Sequence, residues 1–336
     1  MKHKNPQSMD HRLHRQSGVT LVELMVAMTI GLFLLGAVGM IYVTVSSSSR
    51  SSTLESQMNE DASLALELLQ QQIRLAGFST VGADGKRNFS GLSVRGCDGG
   101  FTDNSGTTNF GALTCANVDT GPDAIAVRYE ATTLNSQGVE VSGVMRPDNC
   151  SHNGITPWVA GAAEGSAATI SLADNRYYIA NDGEVPTLYC RGRDGSATNG
   201  FSDAAALIPN IENLQIQYAI TNTPAADEAL PHQVTAYVEA KDAALGATLV
   251  NWSRVAALRV CLIARSAQPV PTGDNSRADL GWYRDCDGAE QTVQDRYLRR
   301  AYVTTIQLRN MRPGLPAPYE TSGGVVVNPW AHLADE

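Results

Sequence analysis

From Leu24 to Val45 the chain runs for 22 residues without a charge. At about 1.5 Å per residue, a helix of that length is about 33 Å long, enough to cross a bilayer core of about 30 Å. One carboxylate, Glu23, heads the run. An isolated charge at membrane depth costs roughly 2.5 kcal/mol or more, and ionisable residues in such segments are functional by default. Any fold for this chain must therefore present an uncharged helix and find a partner for Glu23. A plain signal-anchor helix would explain the run but leave Glu23 idle. A conventional signal peptide has an apolar region of about 7–15 residues before an A-x-A-like site. Ala37-Val38-Gly39 imitates that site poorly, and the segment before it would be unusually long.

The helical pattern continues past the apolar run, and helix is expected over residues 19–76. Leu54, Met58, Ala62, Ala65, Leu69, Ile73 and Ala76 recur at steps of three or four, with Glu55, Glu60, Glu67, Gln70, Gln71 and Arg74 on the other face. Gly77 is a natural C-cap. The serine-rich stretch 46–52 is the expected weak point, since serine is a mediocre helix former. A helix apolar on one face must lie on something, and a sheet is the expected partner.

Beyond Gly77, residues 82–121 are rich in Gly, Asn, Asp, Ser and Thr and read as loops and short strands. Strands are expected over 123–129, 139–145, 177–180 and 185–190, the last two joined across Asn181-Asp182-Gly183. Residues 147–165 read as loop. Leu214, Ile216, Tyr218 and Ile220 alternate strictly on one face of a strand that Asn222-Thr223-Pro224 ends. Residues 255–263 read as a central strand and residues 302–308 as the last one.

The leader sets Lys2, Lys4, Arg12 and Arg15 against Asp10, so removing residues 1–18 would take the net charge from −9 to −12. So acidic a soluble part argues against a general nucleic-acid binder, whose affinity comes from cations on phosphates. The positive leader keeps the N-terminus cytoplasmic. All six cysteines, Cys97, Cys115, Cys150, Cys190, Cys261 and Cys286, lie beyond the apolar run. An even count in an exported domain suggests disulfides. Sequential pairing is expected, because each consecutive pair brackets a Gly/Asp-rich loop.

The basic leader, the Gly18/Glu23 spacing and the apolar run together resemble the signal of type IV prepilins and type II secretion pseudopilins. That resemblance implies cleavage by a prepilin peptidase after Gly18 and N-methylation of Val19, where most members carry Phe. It makes Glu23 the assembly carboxylate that neutralises a neighbouring subunit's amine. Four further segments resemble the PilW-type minor pilins: residues 73–78, 211–218, 252–266 and 298–310. Residues 79–205 match poorly. The resemblance implies a pilin-like α+β fold with a long N-terminal helix on an antiparallel sheet. It divides the chain into a leader (1–18), a membrane or filament-core half-helix (19–45), an amphipathic half-helix (46–77) and an extracytoplasmic β-rich domain (78–336). It implies a role in pilus assembly or priming at the tip, in twitching motility and adhesion. The expected partners are the prepilin peptidase, the inner-membrane assembly platform, the major pilin, other minor pilins and a large tip adhesin. The protein is expected in the inner membrane before assembly and on the cell surface after it. Its competitors are a minor pseudopilin of a type II secretion system and a tip module that binds a surface or DNA.

No enzyme, metal or cofactor is expected. His152, His232 and His332 are scattered, with no H-E-x-x-H, G-x-S-x-G or P-loop pattern. Residues 103–109 offer oxygen ligands but lack the spacing and closing Glu of an EF-hand loop. Arg296, Arg299, Arg300, Arg309 and Arg312 are the patch a DNA contact would use, though most should sit on a solvated strand face or pair with acids.

Overall fold

The computed structural model describes residues 18–81, 87–89, 92–102, 110, 113–159, 169–194, 200–223, 233–246, 249–270, 281–311, 321–322 and 325–326. The chain divides into two compact units, Met1–Ser52 and Thr53–Glu336.

Helix α1 (Leu21–Arg74) is continuous through the serine stretch, where loosening was expected. Hydroxyls there do not oppose the helix: Thr44 Oγ1 donates to Met40 O at 2.9 Å and Ser47 Oγ to Thr44 O at 2.9 Å. No Pro or Gly interrupts residues 40–76. The helix ends two residues before Ala76, in a tightened turn where Leu75 and Ala76 N–H reach Gln72 and Ile73 carbonyls. Gly77 then takes φ +75°, the left-handed cap position that glycine adopts without penalty.

In the second unit the strands are β1 (Val94–Cys97), β2 (Ala124–Glu130), β3 (Gly138–Val141), β4 (Val144–Pro147), β5 (Trp158–Val159) and β6 (Thr169–Ile170). They continue with β7 (Leu172–Asp182), β8 (Val185–Gly192), β9 (Ala205–Pro209), β10 (Ile211–Thr221) and β11 (Val234–Val238). A single helical turn, α2 (Leu249–Trp252), precedes β12 (Val255–Arg265). Then come β13 (Trp282–Arg284), β14 (Glu290–Thr292), β15 (Arg299–Gln307), β16 (Thr321–Ser322) and β17 (Val325–Val326). Two antiparallel sheets dominate, in orders β1-β2-β7-β8-β9 and β11-β10-β12-β15. With the helix they make an α+β fold.

One core serves both sheets and the amphipathic part of α1. Met58, Ala62, Ala65, Leu69 and Ile73 bury the expected stripe. They join Val127, Tyr129 and Tyr177 of one sheet with Leu214, Ile216, Tyr218, Val260 and Ile306 of the other. β10 keeps its alternating face, and β12 is central, between β10 and β15.

Three strand expectations need correction. Residues 139–145 are not one strand but the hairpin β3–β4, turned by Ser142 and Gly143, both at positive φ. Such two-residue turns match the right-handed twist of their strands. The final long strand begins at Arg299 rather than Tyr302, and it is not the last, because the short pair β16–β17 follows. The loop expected over 147–165 contains β5, which pairs with β6.

Candidate assembly site

Thr20 is the N-cap of α1 and Glu23 lies three residues on. Thr20 N–H donates to Glu23 Oε2 at 2.9 Å, and Glu23 N–H donates to Thr20 Oγ1 at 3.3 Å. The Thr20 hydroxyl also donates to Glu23 Oε2 at 3.0 Å. This is a capping box, two orphan donors satisfied reciprocally. It also places the carboxylate at the positive end of the helix dipole. Glu23 is thus exposed yet already hydrogen-bonded. Leu21 and Val22 before it, and Leu24, Phe33, Ile41 and the other large apolar side chains behind it through Val45, are all exposed. By length and composition this helix can cross a membrane. Val19 is exposed, and a Cβ built on Gly18 would meet nothing within 4 Å, so the fold does not demand glycine there.

Two of the C-terminal arginines, Arg299 and Arg300, are held by acids. Arg299 has a side chain only 1% exposed. Its Nε and Nη2 donate to the two oxygens of Glu212, and its Nη1 and Nη2 to the two oxygens of Asp295. The register between β10 and β12 shifts at Glu212, and such a bulge re-aims a side chain. Burial alone would loosen the Arg299 proton. The carboxylate hydrogen bonds outweigh it and raise its pKa further. The same contact, first among its causes, holds Asp295 below the usual aspartate value. Arg300 pairs with Glu55 and donates to Asn59 Oδ1 at 3.1 Å. Tyr302 donates to Asn59 as well. These contacts fasten β15 to residues 55–59 of α1. Arg299 and Arg300, the two arginines most central to a DNA patch, are therefore engaged within the protein. Arg312 lies outside the described residues.

The six cysteines form Cys97–Cys115, Cys150–Cys190 and Cys261–Cys286. His152 Nδ1 meets Asp148 Oδ2 at 3.0 Å. His232, His332, residues 103–109 and the leader through Ser17 lie outside the described residues. Among the described residues no group of three or more His, Cys, Asp or Glu could hold a metal ion.

Two acids that sequence reasoning passed over bind backbone amides. Asp123 accepts from Gly99 N–H at 3.2 Å and from Ile216 N–H at 2.8 Å, joining the first disulfide loop to β10. Burial, opposed by the Ile216 bond, pushes its carboxyl up to about 7. Glu130 accepts from Thr80 N–H at 2.6 Å, Thr80 Oγ1 at 2.7 Å and Ser79 Oγ at 3.0 Å, pinning the segment that leaves α1.

Residues 176–310 match the family model of the Type IV Pilus-assembly protein W, a span that takes in the whole four-stranded sheet and the Arg299 cluster. Residues 13–39 match the Prokaryotic N-terminal methylation motif, which takes in the Thr20–Glu23 cap. No curated protein matches the chain. Among solved structures, the chain is similar to a Type IV-like pilin TTHA1219 from Thermus thermophilus, at 11% identity and a TM-score of 0.34, over 76% of this chain and 97% of that one. By the two matches, residues 176–310 are similar to the type IV pilus-assembly protein W family, and residues 13–39, at the head of the apolar helix, to the prokaryotic N-terminal methylation motif.

Proposed function

We propose that this protein is a minor pilin that takes part in assembling and priming a type IV pilus, acts at the pilus tip, and supports twitching motility and adhesion. The observation that carries the reading is one exposed carboxylate at the head of an exposed helix that is otherwise uncharged through Val45. On this reading a prepilin peptidase cuts after Gly18 and Val19 becomes the methylated N-terminus. The match of residues 13–39 to the prokaryotic N-terminal methylation motif supports this.

The cleaved helix then waits in the inner membrane, its N-terminus cytoplasmic and residues 78–336 outside. Assembly exchanges lipid for helix packing against the major pilin, other minor pilins and a large tip adhesin, on the inner-membrane platform. Glu23 meets a neighbour's amine and sets the axial register, because a misregistered carboxylate would stay unpaired in an apolar setting. Glu23→Val should leave the protein cleaved and membrane-bound but poorly incorporated. A normal number of pili in that strain refutes the register role. Gly18→Ala should accumulate unprocessed protein of higher mass on a gel. Deletion should abolish twitching; loss of protein secretion with twitching intact would assign the chain to a secretion system instead.

A further inference from the structure

An open sheet ends in edges, and an unpaired edge strand is a template for another strand. Natural proteins blunt such edges by keeping them short, bulged, charged or interrupted by proline. Of the four edge strands in the two main sheets, three are blunted. β1 is four residues long. β9 has five residues and ends in Pro209. β11 has five, and its register on β10 shifts between Ile220 and Thr221. β15 is different. It has nine residues, no proline, and an unbroken register with β12 from Arg299 to Gln307. From Ala301 to Gln307 it carries no charge.

The bonds of β15 define its free side. Leu308 N–H donates to Ala256 O at 2.9 Å, and Ser266 N–H donates to Leu298 O at 2.9 Å. In an unshifted antiparallel ladder, the even-numbered residues between these two bonds also face β12. Ala301, Val303, Thr305 and Gln307 therefore aim their N–H and C=O groups away from the sheet. Among the described residues no backbone group meets them. Val303 is 57% exposed, and Thr305 and Gln307 are exposed as well. The β13–β14 hairpin, tied to β12 by Cys261–Cys286, pairs only with itself.

A row of alternating donors and acceptors at strand spacing fits another extended backbone. The chain's own next segment is a poor donor. Residues 312–320 contain Pro313, Pro316 and Pro318, and proline has no N–H to give. β16 and β17 already pair with each other. A second copy fits no better. Arg300 meets Glu55 near one end of β15, and Asn310 Nδ2 donates to Arg74 O at 2.8 Å just past the other. Residues 55–74 of α1 thus run alongside β15 in the same direction. Two copies paired antiparallel through this edge would aim their helices opposite ways, which a shared membrane forbids. We propose that the free edge of β15, from Ala301 to Gln307, docks an extended, uncharged segment of a different protein, which joins the four-stranded sheet as a fifth strand. The exclusion of a second copy rests on the reading of α1 as a membrane helix, but the strand pairing does not depend on Glu23.

The test places the photo-crosslinker benzoylphenylalanine at position 303 of the full chain in its native cells and maps the product by mass spectrometry. The crosslink should join position 303 to an uncharged stretch of a different protein. Thr305→Pro removes an outward N–H and no bond to β12, so it should cut that product at least about fivefold with Tm little changed. Thr305→Lys, which sets a charge on the edge, should do the same. Thr305→Val keeps the N–H and should leave the product intact. In the purified protein, amide exchange should be fast at Val303 and Thr305 and slow at Tyr302 and Thr304. Four results overturn the inference: no product, a product with residues 312–336 or with a second copy, a product that survives both Thr305→Pro and Thr305→Lys, or slow exchange at Val303 and Thr305. Failure here would leave the Glu23→Val result untouched, so the two readings fall separately.

Discussion

Replacing Arg299 by Ala removes a guanidinium that donates to two carboxylates at once. Its side chain is 1% exposed, while Glu212 and Asp295 are each 30% exposed. Removing one partner of a fully buried ion pair costs about 3–5 kcal/mol, because a bare charge stays behind. Here the abandoned carboxylates can draw water at their open side, which lowers the cost to about 2–3 kcal/mol. For a domain of this size that is a fall in Tm of roughly 4–8 °C.

The loss should also depend on pH. Asp295 is held below its ordinary pKa of 3.8, chiefly by hydrogen bonding to Arg299. A depressed acid contributes stability above its unfolded pKa, and that stability is lost as pH falls through the lower, folded value. The gap between wild type and Arg299→Ala should therefore be widest near neutral pH and shrink as the solution is acidified below about 4. Arg299→Lys should rescue little, since an ammonium cannot reproduce two bidentate contacts. Urea denaturation of the full chain in detergent at about pH 7 and about pH 3 measures both quantities. A gap below about 1 kcal/mol at neutral pH, or one that acid leaves unchanged, refutes the reasoning.

Asp123 should act in the opposite sense. Its folded pKa of about 7 stands above the ordinary 3.8, so its contribution is fully present below about 3.8 and lost as pH rises toward 7. Asp123→Asn cannot ionise and should gain on wild type by up to a few kcal/mol between about pH 4 and 8. Urea midpoints that track each other across that window contradict this. Gly96→Ala places a Cβ 1.7 Å from the Tyr218 hydroxyl, and Tyr218 is buried edge-on against Trp252 at 5.0 Å between ring centroids. With no room for the ring to yield, about 2–3 kcal/mol of stability should be lost. Tyr218→Leu should restore part of it in a double-mutant cycle, and strict additivity of the two changes would show that no clash exists.

Local periodicity made the main elements legible. The stripe from Met58 to Ile73, the alternation from Leu214 to Ile220 and the apolar run of β12 each repeat within the reach of one helix or strand. The edge strands β9 and β11 are five residues each and only partly buried, so neither carries a clean period of two. The β3–β4 hairpin had a readable marker in Ser142-Gly143, a turn dipeptide that reading the segment as one strand overrides.

At the candidate site, Glu23 stood out as a charge at the head of an uncharged run. Its partner was readable too, since Thr20-Leu21-Val22-Glu23 is a capping-box pattern four residues long. The Arg299 cluster was not, because Glu212 and Arg299 lie 87 positions apart and meet only through sheet pairing. Nor does composition reveal that Asp123 spends its oxygens on the backbone amides of Gly99 and Ile216, or Glu130 on the amide and hydroxyls of residues 79–80.

The self-made cap has one more consequence. The Glu23 carboxylate takes two hydrogen bonds from Thr20, both on Oε2, and among the described residues nothing bonds Oε1. An incoming donor can therefore take the second oxygen without displacing the cap. An ammonium gains most, since its bonds to a carboxylate are about twice as strong as neutral ones. The helix end thus behaves as a half-filled seat: the threonine steadies one oxygen and leaves the other to arriving positive charge.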